Sequence, residues 1–167
     1  MFGMLVHFQK TWAYESSQTS RMLRSLTDAS LIQAVTAQDR TLGRIAWHLA
    51  TTIPEMMGRT GLKIAGPHQD APLPHTAKEI ADGYDQLSKS LAEEIARTWN
   101  DETLHVQDDM YGEKWDRGYT LFALVTHQTH HRGQMTVLMR QAGLKVPGVY
   151  GPAREDWAGM GAPPPTI

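Results

Sequence analysis

Residues 119–142 read YTLFALVTHQTHHRGQMTVLMRQA. Thr120, Leu124, His127, His131, Met135, Leu138 and Ala142 recur at three- and four-residue intervals, so they share one face of an α-helix. Gly118 precedes this helix, and Gly143 supplies a C-terminal stop. A helix of this length with an apolar stripe must bury that stripe against other elements. In this stripe the middle positions are imidazoles: His127 and His131, four residues apart, lie between Leu124 and Met135.

Three further segments carry the same helical period, and no segment carries a convincing strand alternation. The first spans about Phe2 to Leu26, with Met4, Leu5, Phe8, Trp12, Met22 and Leu23 on one stripe; Glu15 and Thr19 intrude on it. The second is expected to open near Thr36, since Thr36-Ala37-Gln38-Asp39 approximates a capping box. Its stripe is Leu42, Ile45, Leu49, Ile53 and Met56; Pro54 should bend it, and Gly58 and Gly61 close it. The stretch from Thr60 to His75, with three prolines and two glycines, reads as a long loop. Thr76-Ala77-Lys78-Glu79 is a capping box that opens the third helix. Its stripe runs Ile80, Tyr84, Leu87, Leu91 and Ile95, ending before Asn100-Asp101. A proline- and glycine-rich tail follows Val146, with one short helical turn expected near Arg154 to Ala158. Four amphipathic helices define an all-α fold, a four-helix bundle in a single domain spanning 1–167.

Composition narrows the function. The apolar and charged fractions, 41% and 20%, suit a globular chain. A net charge of −2 gives no electrostatic case for nucleic acid or an anionic membrane. With no cysteine, disulfides, thiolate metal ligands and cysteine nucleophiles are excluded. The N-terminal residues lack a basic region and a long apolar run, so no signal peptide is expected, and a cytoplasmic protein is the default.

Burying two adjacent imidazoles is costly unless their ring nitrogens find partners, and one shared metal ion satisfies both. His48, on the shoulder of the second stripe beside Ile45, Leu49 and Thr52, is the best third ligand. For His48 taken alone, a hydrogen-bonded core role is the commoner fate. Three neutral imidazoles would form an open site with room for water or a substrate. His130 lies off the face as a surface residue or a neighbour of a ligand; His7, His68, His75 and His105 receive no role. Gln128 occupies the place of the glutamate in the His-Glu-x-x-His motif, which excludes zincin-type proteolysis. The paired Glu-x-x-His motifs of a dinuclear carboxylate site are absent.

Glu15 is the candidate catalytic carboxylate, because helical spacing puts it on the core stripe one turn beyond Trp12; the alternative is a rim carboxylate paired with arginine. Glu55 is a weaker candidate, Gln134 a possible orienting partner for a ligand histidine, and Arg132 and Arg44 are read as solvated surface charges. The third helix, apolar but for Tyr84, reads as structural, so the pocket is expected among helices 1, 2 and 4.

His48 within Thr41-Leu42-Gly43-Arg44-Ile45-Ala46-Trp47-His48, the His127/His131 pair and the following Arg132-Gly133-Gln134 resemble the DinB/YfiT family, and so does Arg140-Gln141-Ala142-Gly143-Leu144. The resemblance covers nearly the whole chain. It implies an up-down-down-up bundle, a divalent zinc or nickel ion held by His48, His127 and His131, and a homodimer. It also implies a small-molecule substrate and, by analogy with some branches, a low-molecular-weight thiol such as bacillithiol or mycothiol used by a transferase. Metal-dependent hydrolysis, a non-enzymatic stress-related binding role and a purely structural bundle stand as alternatives.

Overall fold

The computed structural model describes residues 1–166. Its four long helices are α1 (Leu5–Leu23), α2 (Leu42–Arg59), α3 (Ala77–Thr98) and α4 (Arg117–Gln141). Single turns of 3-10 helix occupy Asp28–Ile32, Glu102–His105 and Trp157–Met160, and a hairpin of β1 (Gln107–Met110) and β2 (Glu113–Asp116) precedes α4.

Local hydrogen bonds explain most boundaries. At the start of α3, Glu79 N donates to Thr76 Oγ1 at 3.1 Å and Thr76 N donates to Glu79 Oε2 at 3.0 Å, the reciprocal box expected there. Helix α1 begins at Leu5 because Asp101 Oδ1 accepts its amide at 2.8 Å. It ends at Leu23, short of Leu26, and a second box between Thr27 and Ser30 starts a separate turn. Helix α4 closes on Gly143 at φ 74°, with Leu144 N donating to Met139 O at 2.9 Å, a left-handed cap.

Three expectations are corrected. Thr36 and Asp39 do bond to each other, but they close an isolated turn; α2 starts at Leu42, where Thr41 Oγ1 accepts from Arg44 N at 3.2 Å. The expected absence of strands fails at the hairpin, whose antiparallel register pairs Gln107 with Asp116 and Met110 with Glu113. Tyr111 and Gly112 form its two-residue turn, at φ 61° and 89°, the positive pair that matches the twist of a tight hairpin. Helix α2 runs unbroken through Pro54, and the tail's turn falls at Trp157–Met160, three residues beyond its expected start.

Contacts along the chain fix the directions of the helices. The ion pairs of Arg24 with Asp82 and Asp85 join the end of α1 to the start of α3, while Asp101 caps the start of α1, so these helices are antiparallel. Phe2 N donates to Gly118 O at 3.1 Å and Arg132 reaches Thr19 at 2.9 Å, so α1 and α4 are parallel. The 60–75 loop runs back along α2. A Cβ on Gly66 would meet Leu87 and Pro54, and one on Gly43 would meet Leu73. Asp28 Oδ1 then accepts from Ala77 N at 2.8 Å, so α3 starts beside the beginning of α2 and runs parallel to it. The order is up-down-down-up. Helix α2 packs against α3 and α4, as does α1.

Phe8, Trp12, Leu49, Ile53, Tyr84 and Leu91 fill the centre. Trp12 Nε1 donates to the Ser88 carbonyl at 3.1 Å, so its one polar atom is satisfied. No helix among the described residues is long and apolar enough to cross a membrane.

Gly118 sits inside the first turn of α4, where an added Cβ would lie 2.2 Å from the Phe2 carbonyl oxygen. Helix propensity alone would make Gly118→Ala stabilising by about 1 kcal/mol. The backbone clash reverses the sign, and we expect a loss of roughly 1–3 kcal/mol in urea denaturation.

Candidate metal centre

Helices α2 and α4 run antiparallel, and a buried side chain sets their register: Gln128 Nε2 donates to the Leu49 carbonyl at 2.9 Å. That bond places His48, next to Leu49, opposite His127 and His131 on either side of Gln128. The Nε2 atoms of His48 and His127 are 3.3 Å apart, and those of His127 and His131 are 3.1 Å apart. One ligating atom from each ring lies within 4.8 Å of the others. For zinc–nitrogen bonds of about 2.0–2.1 Å, the edge of a tetrahedron is about 3.3 Å. The separations of both pairs match it.

The outer ring nitrogens decide which way the lone pairs point. His131 Nδ1 lies 2.7 Å from Gln134 Oε1, which only accepts, so Nδ1 carries the proton and Nε2 is left basic. Thr52 gives its hydroxyl proton to the His48 carbonyl at 2.6 Å, leaving its oxygen to accept from His48 Nδ1 at 3.4 Å. Both rings therefore turn a lone pair toward His127 Nε2, which can answer at most one of them with a proton. A cation satisfies all three. Burial pushes His48 and His127 down to about 4, with the positive potential of His131 adding to it. His131 is lowered too, again chiefly by burial, with Gln134 opposing the shift. At neutral pH all three are neutral imidazoles with lone pairs free to bind a metal. The residues fit a divalent ion.

Cavities of different character meet at the histidines. A cleft of about 230 Å³ is lined by Arg40, Arg44, His48, Gln69 and Asp70. A groove of about 630 Å³ joins His131 and Gln134 to Val35, Ile45, Val137 and Leu138. A third space, of about 300 Å³, holds His48, Thr52, Glu55 and His127 under Tyr111 and Trp115 of the hairpin. Here Glu55 accepts from Arg59 Nε at 2.8 Å and from the Tyr111 hydroxyl at 2.7 Å. The Arg59 guanidinium also covers the Tyr111 ring at 4.2 Å. Burial and the Glu55 bond push the Tyr111 hydroxyl up to about 12, so it remains a donor.

The structure thus brings His48, His127 and His131 together, with Gln134 orienting one of them, and leaves Glu15 outside the cluster. Glu15 is 5% exposed and pairs with Arg132, itself 2% exposed. Arg132 also donates to the Glu15 carbonyl at 2.8 Å and to Thr19 at 2.9 Å, and the Tyr150 hydroxyl donates to Glu15 Oε1 at 2.5 Å. The solvated role expected for Arg132 is therefore corrected: it is a buried tie between α4, α1 and the tail. Leu121, Val125, Gln128, Arg132, Met135 and Met139 form a second buried stripe of α4, a period the sequence does carry. Arg44 is half-buried and donates to the Ala71 carbonyl at 3.2 Å. Glu55 is the carboxylate that shares a space with both His48 and His127, and Asp70 shares the cleft with His48. Sequence reading gave no role to Arg40, Thr52 or Tyr111. Only Thr52, one turn beyond His48, carried a positional signal.

A four-helix bundle with three convergent imidazoles on α2 and α4 defines the class. The sequence pattern of the DinB family matches residues 1–165, and the chain belongs to that family. It is 47% identical over 167 residues to the uncharacterized protein YrdA of Bacillus subtilis, covering the full length of both. The crystal structure of a DinB-like protein from Bacillus cereus superimposes with a TM-score of 0.87 at 46% identity, over 90% of this chain and 100% of that one.

Two outcomes follow. In the folded protein His48 and His127 titrate near 4, against about 6.5 in the unfolded chain. Between those values the unfolded chain binds more protons. Stability of the metal-free protein should be complete above about 6.5 and fall as pH drops toward 4, a trend that His48→Phe flattens in thermal melts. Glu15→Ala leaves Arg132 buried without its counter-charge and should cost roughly 3–5 kcal/mol in urea denaturation. A free catalytic carboxylate at this position would instead leave stability nearly unchanged.

Proposed function

We propose that this protein is a metal-dependent enzyme in which His48, His127 and His131 hold a divalent zinc or nickel ion and a small thiol is activated for transfer to an electrophile. The observation that carries the reading is the convergence of three imidazole nitrogens at a junction of cavities with unlike linings. One lining is cationic and polar, the other largely aliphatic, as suits two reactants of different chemistry. A divalent ion on three neutral ligands keeps its full charge and lowers the pKa of a bound thiol or water.

The chain's own residues supply the rest. Gln134 and Thr52 hold the rings of His131 and His48 with their Nδ1 protons turned outward. Glu55 faces the space shared with His48 and His127 and takes the proton that the thiol gives up, its carboxylate held in place by Tyr111 and Arg59. Val35, Ile45, Val137 and Leu138 supply an apolar wall for the electrophile. Gln128, spent on the Leu49 carbonyl, offers no carboxylate for a zincin-type reaction.

Elemental analysis of the purified protein should find one divalent ion per chain, lost in His131→Ala. The loaded protein should speed the reaction of bacillithiol or glutathione with monobromobimane, and the variant should not. Absence of stoichiometric metal sinks the proposal. Ester turnover without added thiol would move the reading to hydrolysis.

A further inference from the structure

We propose that Arg40 and Arg44 form a carboxylate-binding subsite beside the metal centre, selecting an anionic thiol over a neutral one. The inference rests on the thiol reading above and names the class of that ligand. Elsewhere buried or half-buried arginines answer a carboxylate: Arg132 meets Glu15, Arg117 meets Asp108 and Arg140 meets Glu155. Among the described residues, half-buried Arg44 forms no ion pair, nor does exposed Arg40, and both line the cleft that contains His48. Arg40 also lines the larger groove that contains His131 and Gln134. It therefore stands between the two openings of the centre.

The acidic residues nearby form no ion pair with them. Asp39 accepts from the amide of Thr36 at 3.1 Å and from its hydroxyl at 2.8 Å. Asp70 lines the same cleft and is largely exposed; its Oδ2 lies 3.3 Å from His68 Nδ1 and makes no ion pair with either guanidinium. Arg44 spends one N–H on the Ala71 carbonyl and keeps the remainder of its fork for a ligand.

Their position in the chain runs against local electrostatics. Thr41 caps α2, so Arg40 and Arg44 flank the positive end of an 18-residue helix whose first turn holds no acidic residue. Cations there are unfavourable, since the helix dipole prefers anions at this end. A divalent ion on neutral ligands adds positive charge on the same side. Three sources of positive potential converge on a cleft of about 230 Å³, the size for a small organic acid. A ligand that places sulfur at the histidines and a carboxylate between the guanidiniums answers all of them, with the bidentate geometry arginine favours.

The test uses the full-length protein loaded with cobalt, whose thiolate-to-metal absorption band reports binding directly. Mercaptosuccinate and mercaptoethanol are titrated in turn. Wild type should bind mercaptosuccinate at least about tenfold more tightly, since a charge-assisted hydrogen bond is worth that factor or more. Arg40→Gln and Arg44→Gln should each erode this preference, leaving the mercaptoethanol dissociation constant and the metal stoichiometry unchanged. Arg40 makes no hydrogen bond within the chain, so its variant tests recognition free of any effect on the 60–75 loop. Equal affinity of wild type for the two thiols, or an equal loss for both thiols in the variants, overturns the inference alone. No band with either thiol overturns the thiol reading as well.

Discussion

Three imidazoles packed between two helices are tolerable only if their nitrogens are answered, and the structure answers the outer nitrogens of two of them, leaving His127 Nδ1 buried without a partner. The Gln128–Leu49 bond holds α4 and α2 at the register where His48 faces the His127/His131 pair. Gln134 and Thr52 then settle the tautomers by accepting from the outer nitrogens. What is left inside is a set of lone pairs 3.1–3.3 Å apart, repulsive by themselves and suited to a cation. This arrangement gives up stability: desolvation holds the rings neutral through the range where they would otherwise gain a proton.

The topology follows from where the chain must return. A short connection from α2 would make α3 its antiparallel neighbour. Instead the 60–75 loop runs the length of α2, packing Gly66 on Pro54 and Leu73 on Gly43, and delivers α3 parallel to it. Helix α4 then lies antiparallel to α2 on its other side, with His48 set against the pair four residues apart on α4. The hairpin before α4 closes the space over Glu55. Its turn holds Tyr111 at φ 61°, a conformation that disfavours side chains with a Cβ, and the bond to Glu55 and the stacking of Arg59 hold it there.

How much of this was legible depended on whether the signal was local. The stripes of α1 through α4 and the box at Thr76–Glu79 read directly, because each needs only neighbours in sequence. The start of α2 misled because Thr36 and Asp39 make the bonds of a helix start without a helix to follow. The strands were invisible because Gln-Asp-Asp-Met and Glu-Lys-Trp-Asp carry no apolar alternation, and the turn lacks the usual Asn-Gly or Asp-Gly. Arg132 was misread for a different reason. Its partner Glu15 lies 117 residues away, and nothing local distinguishes a buried arginine from an exposed one. The clustering histidines were legible because a polar pair on an apolar face is itself an anomaly.

Two glutamates lie close to the histidines or to their helices, and both are held by arginines. Glu15 is locked by Arg132 and Tyr150 on the far side of α4, and Glu55 by Arg59 and Tyr111 beside the histidines. A carboxylate free to swing would compete for the fourth position and cancel part of the ion's charge. With both pinned to arginines, neither would occupy that position on an ion held by the three histidines, and such an ion would keep its charge for an external anion. The same logic accounts for the contrast among the arginines. Arg59 and Arg132 restrain carboxylates inside the protein, whereas Arg40 and Arg44, left without any, face the cleft from which an anion would come.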